Sequence, residues 1–453
     1  MKRRNFIKLS LVACSSLFFS SRVLAEDINL NNVNFSKEIY SKNAAQTIVV
    51  YLYGGASQLA GNLTNIEEIK SKSQSDYDNY FRAITATKSG CWQEAGGLYM
   101  EDMLDSGDMT IFRCSYSNVR EQNHNKAHGV CTLQNQKGNF DLNRGGIVTN
   151  IAQILEANGV VNENSVMPFV TLEGESNFYS QGSRPLSSYL RAVGLDENLK
   201  NPYSRYSRYW YYYTQEEKDS APTSYNNSKT GFDPEFDKIM TAMAQQNNTN
   251  QKVKESFGKR ESLSDFIDDI ATATTPDLGI NAYPSNDKFA QKLESSIKIL
   301  ANNEDTKVIT INTGSLGGWD DHDDARNYVT RSEALFKSLK SAMAHLKALN
   351  KDGNISIMVY GEFGRNVNLN SALGWDHGNL QNFYVLGGKN YFTHKGVVGE
   401  TDVEDTGSIN RLYLKPKSGT YTFEHLSIAA TLYKIFGVTN PEILTNNNPA
   451  VEI

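Results

Sequence analysis

The stretch ISIMVYGEFG, Ile355–Gly364, decides how the chain is read. Ile355 to Tyr360 form a mostly apolar, β-branched and aromatic run, the composition of a strand buried on both faces. Glu362 and Arg365 arrive where that run stops, and Asp376 and His377 follow in GWDHG, Gly374–Gly378. Charge gathered at the end of a buried strand is either a site or a polar loop closed by local ion pairs.

Working outward, five more runs share this character: TIVVYLYGG (47–55), MTIFRCS (109–115), MPFVTLEGE (167–175), KVITINTG (307–314) and NFYVLGG (382–388). Helical periodicity separates them in GIVTNIAQILEANG, KFAQKLESSIKILANN, SEALFKSLKSAMAHLKALNKDG and TFEHLSIAATLYKIFG, the first stopping on Gly159. Strands alternating with helices predict an α/β fold with a mostly parallel sheet covered on both faces. The 453 residues suffice for one such domain with insertions, read here as residues 26–453. From about 197 to 277 a polar, Tyr-rich segment breaks the rhythm and reads as an insertion, its Tyr/Arg run either a packed aromatic lid or, through Tyr211 and Tyr212, a sugar or aromatic ligand site.

In an open parallel sheet, ligands bind beyond the carboxyl ends of the strands. Those ends deliver Ser57, then Arg120, His124 and His128, then Glu173 and Glu175. They also deliver Asp320, Asp321 and His322 in GGWDDH, Glu362 with Arg365, and Asp376 with His377. His394 follows the sixth run, whereas His345 and His425 sit in helical patterns and read as packing or surface residues. Carboxylates mixed with imidazoles suit zinc, manganese or iron better than calcium, which takes oxygen alone. The tripeptide GWD occurs twice, at Gly318–Asp320 and Gly374–Asp376, without a solenoid period.

The first twenty-five residues read as a cleavable export signal: basic MKRRNFIK, a short apolar run, and VLA before acidic ED. RRNFIK fits the twin-arginine pattern, so the expected partner is that export machinery and the expected location is the periplasm. The net charge of −6 includes five basic residues and no acid in that leader, so the rest carries about −11, which argues against nucleic-acid binding. No transmembrane segment is expected beyond the leader. Cys91, Cys114 and Cys131 match no zinc spacing and read as structural.

GGWDDH, EFGR and WDHG, in this order, resemble the bacterial family known as domain of unknown function 1501, and VVYLYGG resembles its opening strand. The resemblance runs from about Thr47 to the end. It implies an alkaline phosphatase-like α/β/α sandwich and metal-dependent hydrolysis of a small phosphate or sulfate ester, with a Ser, Thr or modified Cys nucleophile. It further implies Asp320, His322, Glu362, Asp376 and His377 as metal-site residues, with zinc or manganese as the ion. Arg365 would orient Glu362 or touch an anionic ligand, and His128 would join the catalytic set. Two positions depart from the pattern: Ser57 stands where an acid is expected, and Ala127 where the nucleophile is expected. Ser57, Ser117 and Thr132 are the candidate substitutes, and the alternative is a relative without turnover that serves in binding or envelope assembly.

Overall fold

All six apolar runs form strands in the computed structural model. It describes residues 32–73, 75–117, 124, 130–132, 145–173, 176–181, 186–197, 199, 242–243, 245–246, 266–267, 269–407 and 411–452. The strands are β1 (Gln46–Leu52), β2 (Met109–Tyr116), β3 (Phe169–Thr171), β4 (Val193–Gly194), β5 (Val308–Asn312) and β6 (Ile355–Gly361). They continue with β7 (Gly364–Arg365), β8 (His377–Gly378), β9 (Leu380–Gly387), β10 (Gly396–Val398), β11 (Thr401–Asp405) and β12 (Leu412–Pro416). Eight of them make one sheet in the order β10-β2-β9-β6-β1-β5-β3-β4. Within that sheet β9 alone runs against its neighbours β2 and β6; the remaining pairings are parallel.

Alternation along the strands builds two cores. Ile48, Val50, Ile309, Ile357 and Val359 face helices α1 (Gly97–Asp105), α3 (Lys288–Asn302) and α4 (Arg326–Ala348). Val49, Tyr51, Met358, Tyr360 and Val385 face α2 (Ile147–Ala157) and α5 (Leu426–Ile435). The expected three-layer α/β/α sandwich is therefore present, and each buried Ile or Val contributes roughly 1.5–3 kcal/mol to holding its layers together. Local signals set the helix ends: the Asp287 carboxylate caps α3 by accepting from the amides of Phe289 and Ala290 at 2.8 and 3.1 Å.

The reversed direction of β9 corrects one reading. Residues before β9, including Asp376 and His377, stand at the carboxyl edge of the parallel strands, but residues after it return to the opposite edge. His394 is there, with Nδ1 3.2 Å from Thr110 Oγ1 at the start of β2 and Nε2 2.8 Å from the Gly387 carbonyl. It belongs to no strand-end site. His345 and His425 are buried packing residues. Cys91, Cys114 and Cys131 are free and buried, and burial pushes the thiols of Cys91 and Cys114 up to about 11 and about 12. Most of the 197–277 segment, with Tyr211 and Tyr212, lies outside the described residues, as do the export leader, Arg120, Ala127, His128 and Glu175. No described helix is long and apolar enough to cross a membrane.

Candidate metal centre

The opening stretch folds back on its own continuation. β7 pairs with β8 antiparallel, Gly364 opposite Gly378 and Arg365 opposite His377, so EFGR and WDHG form one small ribbon at the end of β6. Gly378 admits this pairing: a Cβ there would lie 2.6 Å from the Arg365 carbonyl carbon. The loop after β1 closes over the same point. Gly54, at φ +109°, lies so close to the Trp319–Asp320 peptide that a Cβ would stand 2.5 Å from the Asp320 nitrogen.

This ribbon and these loops gather His124, Asp320, His322 and His377, whose ligand atoms all lie within 4.8 Å of one another. The Nε2 atoms of His322 and His377 face each other at 2.8 Å. Asp320 places Oδ1 3.4 Å from His322 Nε2 and Oδ2 3.5 Å from His124 Nε2. Two further carboxylates address the far sides of these rings. Glu362 Oε2 accepts from His124 Nδ1 at 2.7 Å, and Asp376 Oδ1 stands 3.2 Å from His322 Nδ1. An ionised carboxylate only accepts, so each Nδ1 carries a proton and, in the neutral ring, each Nε2 presents its lone pair inward. This is how carboxylate-oriented histidines are arranged around metal ions.

Glu362 is itself fixed, being 1% exposed and accepting from the Gly54 amide through Oε1 at 2.6 Å. The cluster is not sealed: Asp320 and Asp376 side chains are 50% and 51% exposed, and those of His322 and His124 are 39% and 35%. A ligand can reach it.

Arg365 is the clasp beneath. Its fully buried guanidinium donates to the carbonyls of Gly55 at 2.7 Å, Trp375 at 2.9 Å, Trp319 at 3.3 Å, and Gly54. It also donates to Asp320 Oδ1 at 2.7 Å. Arg365 therefore orients Asp320, not Glu362, and presents no guanidinium surface to an anion. Burial raises the Asp320 carboxyl, but the hydrogen bond and charge of Arg365, with His124 and His322, outweigh it and hold the group below its ordinary range. Burial lowers the Arg365 guanidinium, with Asp320 opposing the shift.

The repeated GWD now has a physical account. Trp319 and Trp375 are both buried, both offer their carbonyls to Arg365, and the aspartates that follow them stand on opposite sides of the His322 ring. The adjacent Asp321 turns inward to pair with Arg331; burial raises its carboxyl, with Arg331 opposing.

The donor set of three imidazoles and one carboxylate suits zinc or manganese. Tetrahedral zinc at bonds of about 2.0–2.1 Å needs ligand atoms about 3.3 Å apart. The 3.4 and 3.5 Å contacts of Asp320 already match, while the two Nε2 atoms at 2.8 Å would have to part slightly. Three of the expected metal-site residues, Asp320, His322 and His377, thus converge, and Glu362 and Asp376 stand behind them as ring-orienting carboxylates. His124, a strand-end histidine in the sequence, joins the cluster and contacts Glu362. Ser57 is buried and does not replace an acid: its Oγ accepts from the Leu59 amide at 3.4 Å at the start of the turn Gln58–Gly61.

The fold and site define an α/β protein with a His/Asp cluster at the carboxyl edge of its sheet. Residues 211–410 match the family model described as "Protein of unknown function (DUF1501)". No curated protein matches the sequence. One similar solved structure is Ps i-CgsB in complex with k-i-k-neocarrahexaose, at 9% identity and TM-score 0.35, covering 90% of this chain and 74% of that one. Another is the lipoteichoic acid synthase LtaP from Listeria monocytogenes, at 8% identity and TM-score 0.36, covering 94% of this chain and 98% of that one.

Proposed function

We propose that the chain is an exported, metal-dependent hydrolase-like protein acting on phosphate or sulfate esters. The observation that supports this reading is the convergence of His124, Asp320, His322 and His377 at an accessible strand-end position. A divalent ion bound there would supply a compact positive charge against an anionic ester oxygen. The chain's own residues do the positioning: Glu362 and Asp376 orient two rings, and Arg365 orients Asp320. The half-exposed side of the cluster leaves room for a small anionic ester to approach.

The reading includes an alkaline phosphatase-like ancestry, twin-arginine export in folded form and a periplasmic location, supported by the motifs of the late chain and by Arg3 and Arg4. Metal analysis of the purified chain, with turnover of aryl phosphate and aryl sulfate esters, tests it. The expected result is bound zinc or manganese, with turnover abolished by His377→Ala and by chelation. No bound metal and no metal-dependent turnover overturns it.

One observation favours a binding role without turnover: Ser57, Ser117 and Thr132, the candidate substitutes for a nucleophile expected by resemblance at Ala127, are all buried. Stoichiometric metal with no turnover of either ester class would select that reading.

A further inference from the structure

Beside β5, the strand that leads into Asp320 and His322, a cavity opens at the end of the sheet formed by β3 and β4. Its volume is about 450 Å³, within the range of small-molecule sites and too large for a lone inorganic anion. Leu186 and Leu190 form buried apolar wall, and the side chains of Thr149 at the start of α2 and Thr171 at the end of β3 lie deep. Asn177, Gln181 and Arg191 are more exposed and stand towards its mouth.

Three properties limit what could fill it. Arg191 is the one charged residue lining the cavity among the described residues, with no carboxylate beside it there. Its Nε and Nη2 make only long bonds to the Leu186 carbonyl, at 3.4 and 3.3 Å, leaving three of its five N–H groups for another acceptor. The rest of the polar lining is hydroxyl and amide, able both to donate and to accept, and Thr149 Oγ1 is buried without a protein partner. A lining of hydroxyls and amides with one cation among the described residues and an apolar wall matches a hydroxyl-rich ring bearing one acidic group.

We infer that this cavity binds a monosaccharide unit carrying one acidic substituent, a uronate or a sugar phosphate, with Arg191 on the acid and the hydroxyls and amides on the ring. None of its described lining residues belongs to the metal cluster.

The full chain is titrated by calorimetry with glucuronate, glucose 6-phosphate, glucose and inorganic phosphate. Saturable binding is expected for the two acidic sugars, tighter than for glucose or inorganic phosphate. Arg191→Gln should weaken both acidic sugars tenfold or more and leave glucose unchanged. Arg191→Lys, which keeps the charge, should recover part of the loss and guards against a folding artefact. Glucuronate, which is neither a phosphate nor a sulfate ester, should bind with a chelator present as it does without one. Saturation by glucuronate but not by glucose 6-phosphate, or the reverse, identifies the source of the acid and supports the site. The inference is overturned if no probe saturates, if Arg191→Gln binds the acidic sugars like its parent, or if inorganic phosphate binds as tightly as they do.

Discussion

Glu362→Gln probes the candidate centre without touching any of the four clustered residues. Among the described residues the carboxylate accepts from the Gly54 amide at 2.6 Å and from His124 Nδ1 at 2.7 Å. A glutamine side chain offers one acceptor and one donor in the same space. If its carbonyl stays on Gly54, its NH₂ faces His124 Nδ1, which must then accept. The ring proton moves to Nε2, the atom that would hold the ion. If the amide turns over, its NH₂ confronts the Gly54 N–H in a buried site, at a cost of about 1–3 kcal/mol. Either way metal affinity should fall 10–100-fold, about 1.4–2.8 kcal/mol, the usual penalty for losing a carboxylate that orients a metal-binding histidine. Competition for zinc against a chromophoric chelator measures it, with near-UV circular dichroism confirming the fold. Asp376→Asn should cost less, because Asp376 is half exposed and water can replace its contact with His322. A dissociation constant for Glu362→Gln within threefold of the parent's, in a folded protein, would refute the reasoning.

Arg365→Lys should destabilise the chain by at least about 3 kcal/mol in urea denaturation, because an ammonium cannot span the carbonyls and carboxylate that the planar guanidinium reaches. Gly54→Ala should leave little soluble protein, since its Cβ would meet the Asp320 backbone at 2.5 Å. Gly107→Ala, also at positive φ but with nothing within 4 Å, should cost only about 1–2 kcal/mol by the same denaturation assay. His425 gives a pH signature: burial lowers its pKa from 6.5 to about 4. Between those values the unfolded chain binds a proton that the folded chain does not, so stability rises with pH through that window and is lost as pH falls. The contribution lost between pH 7 and pH 5 is about 2 kcal/mol. His425→Gln should shrink the measured pH dependence by that amount; an unchanged slope would exclude His425 as its source.

The central strands were legible because β1, β5 and β6 are buried on both faces, which leaves an uninterrupted apolar run in the sequence. The direction of β9 was not legible. A central strand carries the same composition whichever way it runs, and only its neighbours' hydrogen bonds set its sense. Two- and three-residue strands such as β4 and β10 are too short to show a period. At the site, spacing placed these residues at the carboxyl edge of the sheet but could not rank them. Glu362, Asp376 and Asp320 are all carboxylates at strand ends, and which one faces the cluster depends on contacts hundreds of residues apart. His124 to Glu362 is one such contact, at a separation of 238.

The same limit explains why the ion-pair reading of the opening stretch and the site reading were not true alternatives. Arg365 is indeed salt-bridged, but to Asp320, 45 residues earlier, and not to Glu362 beside it. That bridge is buried on the arginine side and exposed on the aspartate side. Arg365 spends its remaining donors on backbone carbonyls, so the ion pair locks two loops together while leaving one oxygen of Asp320 facing His124. Breaking the pair should therefore move two observables together, global stability and metal affinity. Removing a purely local surface pair moves neither by much. A denaturation curve and a zinc titration on Asp320→Asn would separate the cases. Loss of both supports the shared clasp, whereas stability lost with affinity intact would mean that Asp320 serves Arg365 alone.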